Sequence, residues 1–251
     1  MTGIRDTWTL AVRMLNHNIR TADTIMTTLV MPVMILLAFV FVIGGAMDTG
    51  TVAYVDYVVP VVLLYTVLTG ISYTAWRVNQ DMTTGFQDRL RSLPIARWSM
   101  IGGHVVASVL VNAVSVVVVF GVALLIGYRP HADAMGWLVS IALILVCLVA
   151  FTVMGVSFGM MAKTSEGAGM FVYFGMGLLF VSSGFAPTNS MPDPLRAFAD
   201  HQPMTPIINA LRDAQLGTTD PGQTWIALAC LVGILFVFAV LAATVGGRRR
   251  T

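Results

Sequence analysis

Long apolar segments alternate with short polar segments along this 251-residue chain. Six windows contain no Asp, Glu, Lys or Arg: 24–47, 57–76, 98–128, 134–162, 167–192 and 221–247. Each window can supply the roughly 20 apolar residues that a helix needs to cross about 30 Å of hydrocarbon. The pattern therefore predicts an all-α, polytopic membrane protein. Its six transmembrane helices are predicted at about 24–44, 57–76, 100–127, 135–161, 167–186 and 223–245.

The first 23 residues carry a second, shorter pattern. Apolar residues recur at helical spacing on one face, while polar and arginine residues occupy the others. We predict an amphipathic helix that lies in the membrane interface, with Trp8 at headgroup depth, Leu15 on the apolar face, and Arg13 and Arg20 toward anionic lipid. The alternative is a polar tail that becomes ordered only by packing on the spans. The segment lacks the features of a cleaved signal peptide.

Composition narrows the class of protein further. Only 10% of the residues are charged and mean hydropathy is +0.84, whereas an ordinary soluble domain carries about 25% charged residues. No loop is long enough for a separate soluble domain of at least about 50 residues. We therefore expect one transmembrane domain, 1–251, and any large soluble catalytic unit must be another chain. No basic cluster is interleaved with aromatic residues, so nucleic acid is not an expected partner.

The charged residues predict the orientation of the chain in the membrane. Lys and Arg collect at the cytoplasmic ends of spans. With both termini inside, 11 basic residues fall on the inner side and three on the outer side, whereas seven of the 12 acidic residues fall outside. The sequence thus predicts a multi-pass protein of the cell membrane with both termini in the cytoplasm.

The connection between the second and third predicted spans contains a short amphipathic helix, 84–93. Phe86, Leu90 and Leu93 are spaced four and three residues apart, which places them on one face of a helix. Pro94 ends the helix at the preceding residue. The chain alone offers nothing to bury this apolar ridge, so the helix either lies on the membrane or inserts into a groove on a partner protein.

The segment before the last span, 187–220, is rich in proline. We predict two short external helices, partly re-entering the bilayer and broken at Pro203 and Pro206. Thr205 is the expected cap of the second helix, with Pro206 at its first position. This external gate segment continues through Leu211 and Arg212. The alternative is a surface cap with no role in gating.

The predicted spans contain no carboxylate, so the sequence indicates neither a catalytic site nor a metal site at membrane depth. The lysine that a phosphate-binding loop requires is present only as Lys163, without the glycines at the required spacing. His104 has no acidic neighbour in sequence, and we expect it to have an interface or packing role. The aromatic and methionine content suggests an apolar substrate pathway. Its candidate lining residues are Tyr65, Thr69, Tyr73, Phe171 and Phe174.

The string from Gly85 to Arg97, with Arg-Leu-Arg-Ser-Leu-Pro-Ile at its centre, resembles the coupling segment of type-2 ABC transporter permeases, particularly the daunorubicin-type drug-resistance membrane proteins. The amphipathic start, the six spans and the Pro-x-Thr-Pro segment at 203–206 also resemble that family. The resemblance implies that two permease chains, identical or related, pair with two nucleotide-binding subunits. The coupling residues it implies are Gly85, Phe86, Arg89, Leu90, Arg91, Leu93, Pro94 and Arg97.

The resemblance also implies a function. This chain would be the non-catalytic membrane subunit of an ATP-driven exporter of hydrophobic or amphiphilic compounds that are drug-like, antibiotic or lipid-like. It would bind no cofactor itself, and ATP and Mg would bind to the partner subunit. One alternative is export of a lipid-linked glycan or envelope precursor by the same architecture. An alternative of another class is an autonomous channel or membrane scaffold.

Overall fold

The computed structural model describes residues 2–20, 22–46, 52–83 and 97–248, and the side chains of residues 5, 7–15, 24–46, 52–83 and 101–244. These parts of the chain form helices, turns and irregular segments, with no strand among them. This confirms the all-α prediction. The helices are α1 (Thr2–Arg20), α2 (Ala22–Ile25), α3 (Met31–Ala38), α4 (Tyr54–Thr83), α5 (Arg97–Leu125), α6 (Ala134–Met161), α7 (Ser165–Phe180), α8 (Asp193–His201), α9 (Met204–Leu216) and α10 (Pro221–Arg248).

Five helical segments of the described chain are long and apolar enough to cross a membrane. They are Met26–Ala46, Tyr54–Thr83, Ile101–Leu125, Ala134–Met161 and Pro221–Thr244. Each overlaps a predicted span. The first is irregular, because π-helical segments (Met26–Val30 and Phe39–Ile43) flank α3. Pro32 near the start of α3 lacks an N–H, and a π-type turn next to it adapts the backbone to the missing hydrogen bond.

Two predicted spans differ from the observed helices in length. The span predicted at 57–76 continues to Thr83, because a helix can extend beyond its apolar part through polar residues such as Asn79. The span predicted at 167–186 is instead α7, a 16-residue helix that ends at Phe180, followed by a non-helical turn. A 16-residue helix is about 24 Å long, which is shorter than the hydrocarbon core.

Helix α4 lies at the centre of the bundle. Of its most apolar 18-residue window, 89% is buried within the chain, against 11% for the corresponding window of α10. Helix α6 approaches α4 closely through Gly155 and Gly159, and a Cβ atom on Gly159 would lie 2.5 Å from the carbonyl oxygen of Ala75. This pair of small residues therefore packs within the chain.

Helix α1 packs lengthwise on α5. Leu10, Ala11 and Met14 are buried, and Leu15 packs against the same cluster. Trp8 is 58% exposed and Arg13 is also exposed. The helix therefore has a packed face toward α5 and leaves Trp8 on its outward side. The side chain of Arg20 lies outside the described side chains.

Candidate functional site

Helix α9 closes one end of the bundle, which we call the outer end in keeping with the predicted orientation. Nine of its 13 residues are buried, including Leu211. It contacts α4, α6, α7 and α10. Gly217 ends the helix in the left-handed conformation, with φ of 77°, which favours glycine because it lacks a Cβ atom. The predicted external segment is thus a helix packed inside the end of the bundle.

Arg212 of α9 is the charged centre of this end. The side chain is 8% exposed. Its guanidinium donates to the carbonyl oxygens of Ser183 at 2.9 Å, Gly184 at 3.2 Å and Tyr57 at 3.2 Å. It also donates to Oδ1 of Asn209 at 3.2 Å. The rigid donor fork of arginine suits several acceptors in one plane, so one side chain joins α9 to both α4 and the turn that follows α7.

Tyr57 holds the opposite side of the same cluster. The Arg212 guanidinium carbon lies 3.7 Å from the centroid of the Tyr57 ring, a cation–π contact. The Tyr57 hydroxyl donates to the Ser183 carbonyl at 2.6 Å, and Ser183 Oγ donates to Asn209 Oδ1 at 2.7 Å. We call Tyr57, Ser183, Gly184, Asn209 and Arg212 the outer cluster.

The charge of Arg212 is balanced by dipoles. Within residues 52–83 and 101–244, no carboxylate forms an ion pair with it. Burial lowers the pKa of Arg212 from its ordinary value, and the Tyr57 hydroxyl and the neighbouring Asp213 carboxylate oppose that shift. The carbonyls of Ser183 and Gly184 follow the carboxyl end of α7, where the helix dipole favours a cation. An arginine remains charged under these conditions.

A proline lies about one turn after Tyr57 in α4. Pro60 lies inside the helix and lacks an N–H, so the helical hydrogen bond that would end at Asp56 is absent. The helix is weakened at the turn where the Tyr57 carbonyl accepts from Arg212. A proline within a predicted span, together with an arginine in the external segment, is the sequence signal that could have suggested this contact.

The start of α9 differs from its prediction. The helix begins at Met204, so Thr205 is not its cap and Pro206 is not its first residue. The Met204 N–H donates instead to Oε1 of Gln202 at 3.0 Å. The Thr205 hydroxyl is buried, where it donates to Ala199 O and accepts from Ser183 N at 3.3 Å. Its polar atom is therefore used to join α8, α9 and the turn after α7.

The loop between α5 and α6 reaches the same end of the bundle. Tyr128 is fully buried, and its hydroxyl donates to Oε1 of Gln215 at 2.8 Å. Burial is the main reason that the pKa of Tyr128 lies far above its usual value, so the hydroxyl stays protonated as a donor. His131 N donates to the Gln215 carbonyl at 2.9 Å. Helix α9 is thus tied to the loop as well as to α4 and α7.

Almost all of the predicted coupling residues lie outside the described residues. Positions 84–96 lie outside the described residues, and with them Gly85, Phe86, Arg89, Leu90, Arg91, Leu93 and Pro94. Arg97 is the first residue of α5, and its side chain is outside the described side chains. In the sequence, this segment joins the end of α4 to the start of α5.

Polar residues cluster near the end of α4 and the start of α5. His104 Nε2 lies 3.2 Å from Oδ2 of Asp81, so His104 has the acidic neighbour that its sequence surroundings did not suggest. Asn79 Nδ2 donates to the carbonyls of Gly159 at 2.9 Å and Ala162 at 2.7 Å. Ser165 Oγ donates to Asn79 Oδ1 at 3.2 Å. One buried amide therefore ties α4 to the end of α6 and the start of α7.

The predicted pathway residues do not form one surface in the single chain. Tyr65 and Thr69 are buried on α4, and Tyr73 is half-buried and stacked on Trp76 with ring centroids 5.7 Å apart. Phe171 stacks on Phe158 of α6, and Phe174 is 75% exposed. The structure thus brings the α4 residues inside the chain and leaves Phe174 on its outer face.

Together these features define a helical, multi-pass membrane protein in which the buried helix α9 packs into one end of the bundle. The chain belongs to the ABC-2 type transporter family, whose pattern it matches over residues 5–216. It is an ABC transporter permease, and members of this family are non-catalytic membrane subunits that work with separate ATP-binding subunits.

Two relatives illustrate the similarity. The chain is 28% identical over 214 residues to the "Daunorubicin resistance ABC transporter permease protein DrrB1" of Streptomyces coeruleorubidus, covering 84% of this chain and 75% of the relative. It is 25% identical over 243 residues to the "Probable doxorubicin resistance ABC transporter permease protein DrrC" of Mycobacterium tuberculosis (strain ATCC 25618 / H37Rv), covering 94% of this chain and 86% of the relative. The resemblance inferred from the coupling string is therefore confirmed.

Proposed function

We propose that this chain is the permease subunit of an ATP-driven exporter that moves a hydrophobic or amphiphilic compound of drug-like, antibiotic or lipid-like chemistry out of the cell. The similarity to daunorubicin and doxorubicin resistance permeases, which extends over most of the chain, carries this proposal. The composition supports it, because the membrane segments are apolar and rich in methionine and aromatic residues.

The complex that we propose contains two permease chains, identical or related, and two ATPase subunits that bind ATP and Mg. Each permease has six spans, with both termini in the cytoplasm. α7 with the turn after it is the fifth span, and its short helix is completed at the outer end by the buried α9. Helix α1 lies at the cytoplasmic membrane interface, where exposed Trp8 contacts lipid headgroups.

In this proposal the two ends of the bundle have different tasks. The segment from Gly85 to Arg97 receives the movement of the ATPase at the inner end. The external gate, α9 with Pro203, Thr205 and Pro206 at its start, closes the outer end. The polar bonds of Arg212 support this assignment, because they close the end without a covalent link and can be exchanged for bonds to water.

The test is Leu90→Asp, which places a charge on the predicted apolar ridge. Burying an unpaired carboxylate in a protein groove is costly, so we expect less co-purified ATPase and less efflux of doxorubicin from cells. Gln87→Asp is the matched control, since it adds the same charge to the same segment off the ridge. Normal association and normal efflux with Leu90→Asp would remove the coupling assignment.

A further inference from the structure

Asp81 and His104 bridge α4 and α5 beside the connection that joins these helices. Asp81 is three residues before position 84, and His104 is in the second turn of α5. Their side chains meet at 3.2 Å between Oδ2 and Nε2. The pair therefore links α4 to α5, the two helices that residues 84–96 connect.

His104 is buried and Asp81 is partly exposed, and the pair is not tightly hydrogen bonded. The His104 side chain is 4% exposed and that of Asp81 is 21% exposed. Nε2 of His104 is at ion-pair distance, yet it has no hydrogen bond of good geometry within residues 52–83 and 101–244. Buried ion pairs contribute little net stability, because desolvation cancels much of the attraction, and their best-attested role is to set register or act as a switch.

Other contacts already hold α4 against α5. Thr74 Oγ1 donates to Ser108 Oγ at 2.9 Å, about two turns deeper in the bundle. Gly70 packs so closely against Asn112 that a Cβ atom would overlap the amide. Contacts deeper in the bundle therefore also hold the two helices together, so the pair does not hold them alone.

Helix α4 connects this pair to the outer cluster without a break. It runs as one helix from Tyr54 to Thr83, 30 residues, and Tyr57 near its start holds Arg212. Asn79, two residues before Asp81, ties α4 to α6 and α7. A displacement applied at Asp81 thus reaches the neighbouring helices directly and the outer cluster along one continuous helix.

We infer that Asp81 and His104 are the positioning residues that transmit movement of the coupling segment into α4 and so to the outer end. The inference rests on the proposed function, since it needs an ATPase acting on residues 84–96. It assigns the pair no contact with substrate or nucleotide. Its role is to keep both ends of the segment in register, so that movement of the segment shifts α4 against α5.

The experiment uses the complex purified with its ATPase from the native host. Cys147 and Cys230 are replaced by Ala, and Ala210→Cys, which is 1% exposed in α9, reports on the outer end through labelling by a membrane-impermeant maleimide. The measured quantity is the ratio of labelling rates with and without ATP. This readout needs no knowledge of the transported compound.

Asp81→Asn and His104→Gln should each reduce the ATP-dependent change in labelling by about tenfold, the size of an ordinary allosteric coupling. Co-purified ATPase and its hydrolysis rate should stay at the level of the parent. The exchange Asp81→His with His104→Asp should restore most of the change, because it rebuilds the pair in reverse order. Thr74→Val, which removes the deeper α4–α5 hydrogen bond, should leave the change intact.

An unchanged ratio in both single variants overturns the inference and leaves the proposed function standing. An exchange variant that assembles normally but responds no better than the single variants also overturns it. If a single variant fails to assemble, the response of the exchange variant to ATP decides whether the inference stands. A parent complex with no bound ATPase, or with no response to ATP, overturns the proposed function and this inference with it.

Discussion

Replacing Arg212 with Met removes the cation that holds three elements together at the outer end while keeping an unbranched apolar stem. The change deletes the hydrogen bonds to Ser183, Gly184, Tyr57 and Asn209 and the stacking on the Tyr57 ring. Among the described residues Gly184 O has no other donor, whereas Ser183 O keeps the Tyr57 hydroxyl. The packed arrangement of α9 should therefore lose stability relative to an open one.

The size of the effect follows from these contacts. An unsatisfied buried carbonyl costs about 1–3 kcal/mol, and a desolvated cation–π contact contributes about 2 kcal/mol. Relief from burying an arginine without a carboxylate partner offsets part of this loss. A net loss of about 3 kcal/mol corresponds to roughly a 100-fold larger open population.

The assay is maleimide labelling of Ala210→Cys in the absence of ATP, because the labelling of a buried group that opens rapidly follows the population of the open form. We expect Arg212→Met to increase the labelling rate by about 100-fold. Arg196→Met is the control, since Arg196 is 51% exposed and only pairs with Asp200 at 3.7 Å on α8. Equal labelling of Arg212→Met and the parent would refute the role of Arg212 in closing this end.

Two further predictions concern packing and the external gate. Gly159→Val should destabilise the protein by about 2 kcal/mol through overpacking against α4, and thermal unfolding in detergent should show a lower midpoint. The control Gly233→Val, with open space around its Cβ position, should leave the midpoint unchanged. Equal midpoints for the two variants would contradict the close packing. Cysteine pairs in the segment from Pro203 to Leu216, cross-linked between the two permease chains, should block doxorubicin efflux, and full efflux after cross-linking would remove the gating role.

Much of the fold could be predicted because the membrane imposes a simple rule on the sequence. A helix that crosses hydrocarbon excludes charge for about 20 residues, so the charge-free windows located the spans. The rule marks apolar stretches and not helix ends. It therefore placed the end of α4 at Trp76, although the polar residues up to Thr83 continue the helix. It also placed the end of α7 beyond Phe180, where uncharged residues form a turn.

The polar contacts at the two ends were harder to predict because they join residues far apart in sequence. Arg212 meets Ser183 and Tyr57 only after α9 folds into the bundle. The contact between Asp81 and His104 could have been found, since consecutive antiparallel helices bring together residues at similar distances from their connection. Thr74 and Ser108 follow the same rule. Charge counting treated Asp81 as a loop residue and so missed its partner.

The proposed function is tested most directly by reconstituting the permease in liposomes with and without its ATPase partner and measuring transport of doxorubicin. The proposal predicts transport only when both subunits and ATP are present, and none with the permease alone. Downhill flux through the permease alone, unaffected by ATP, would contradict the exporter and indicate an autonomous channel.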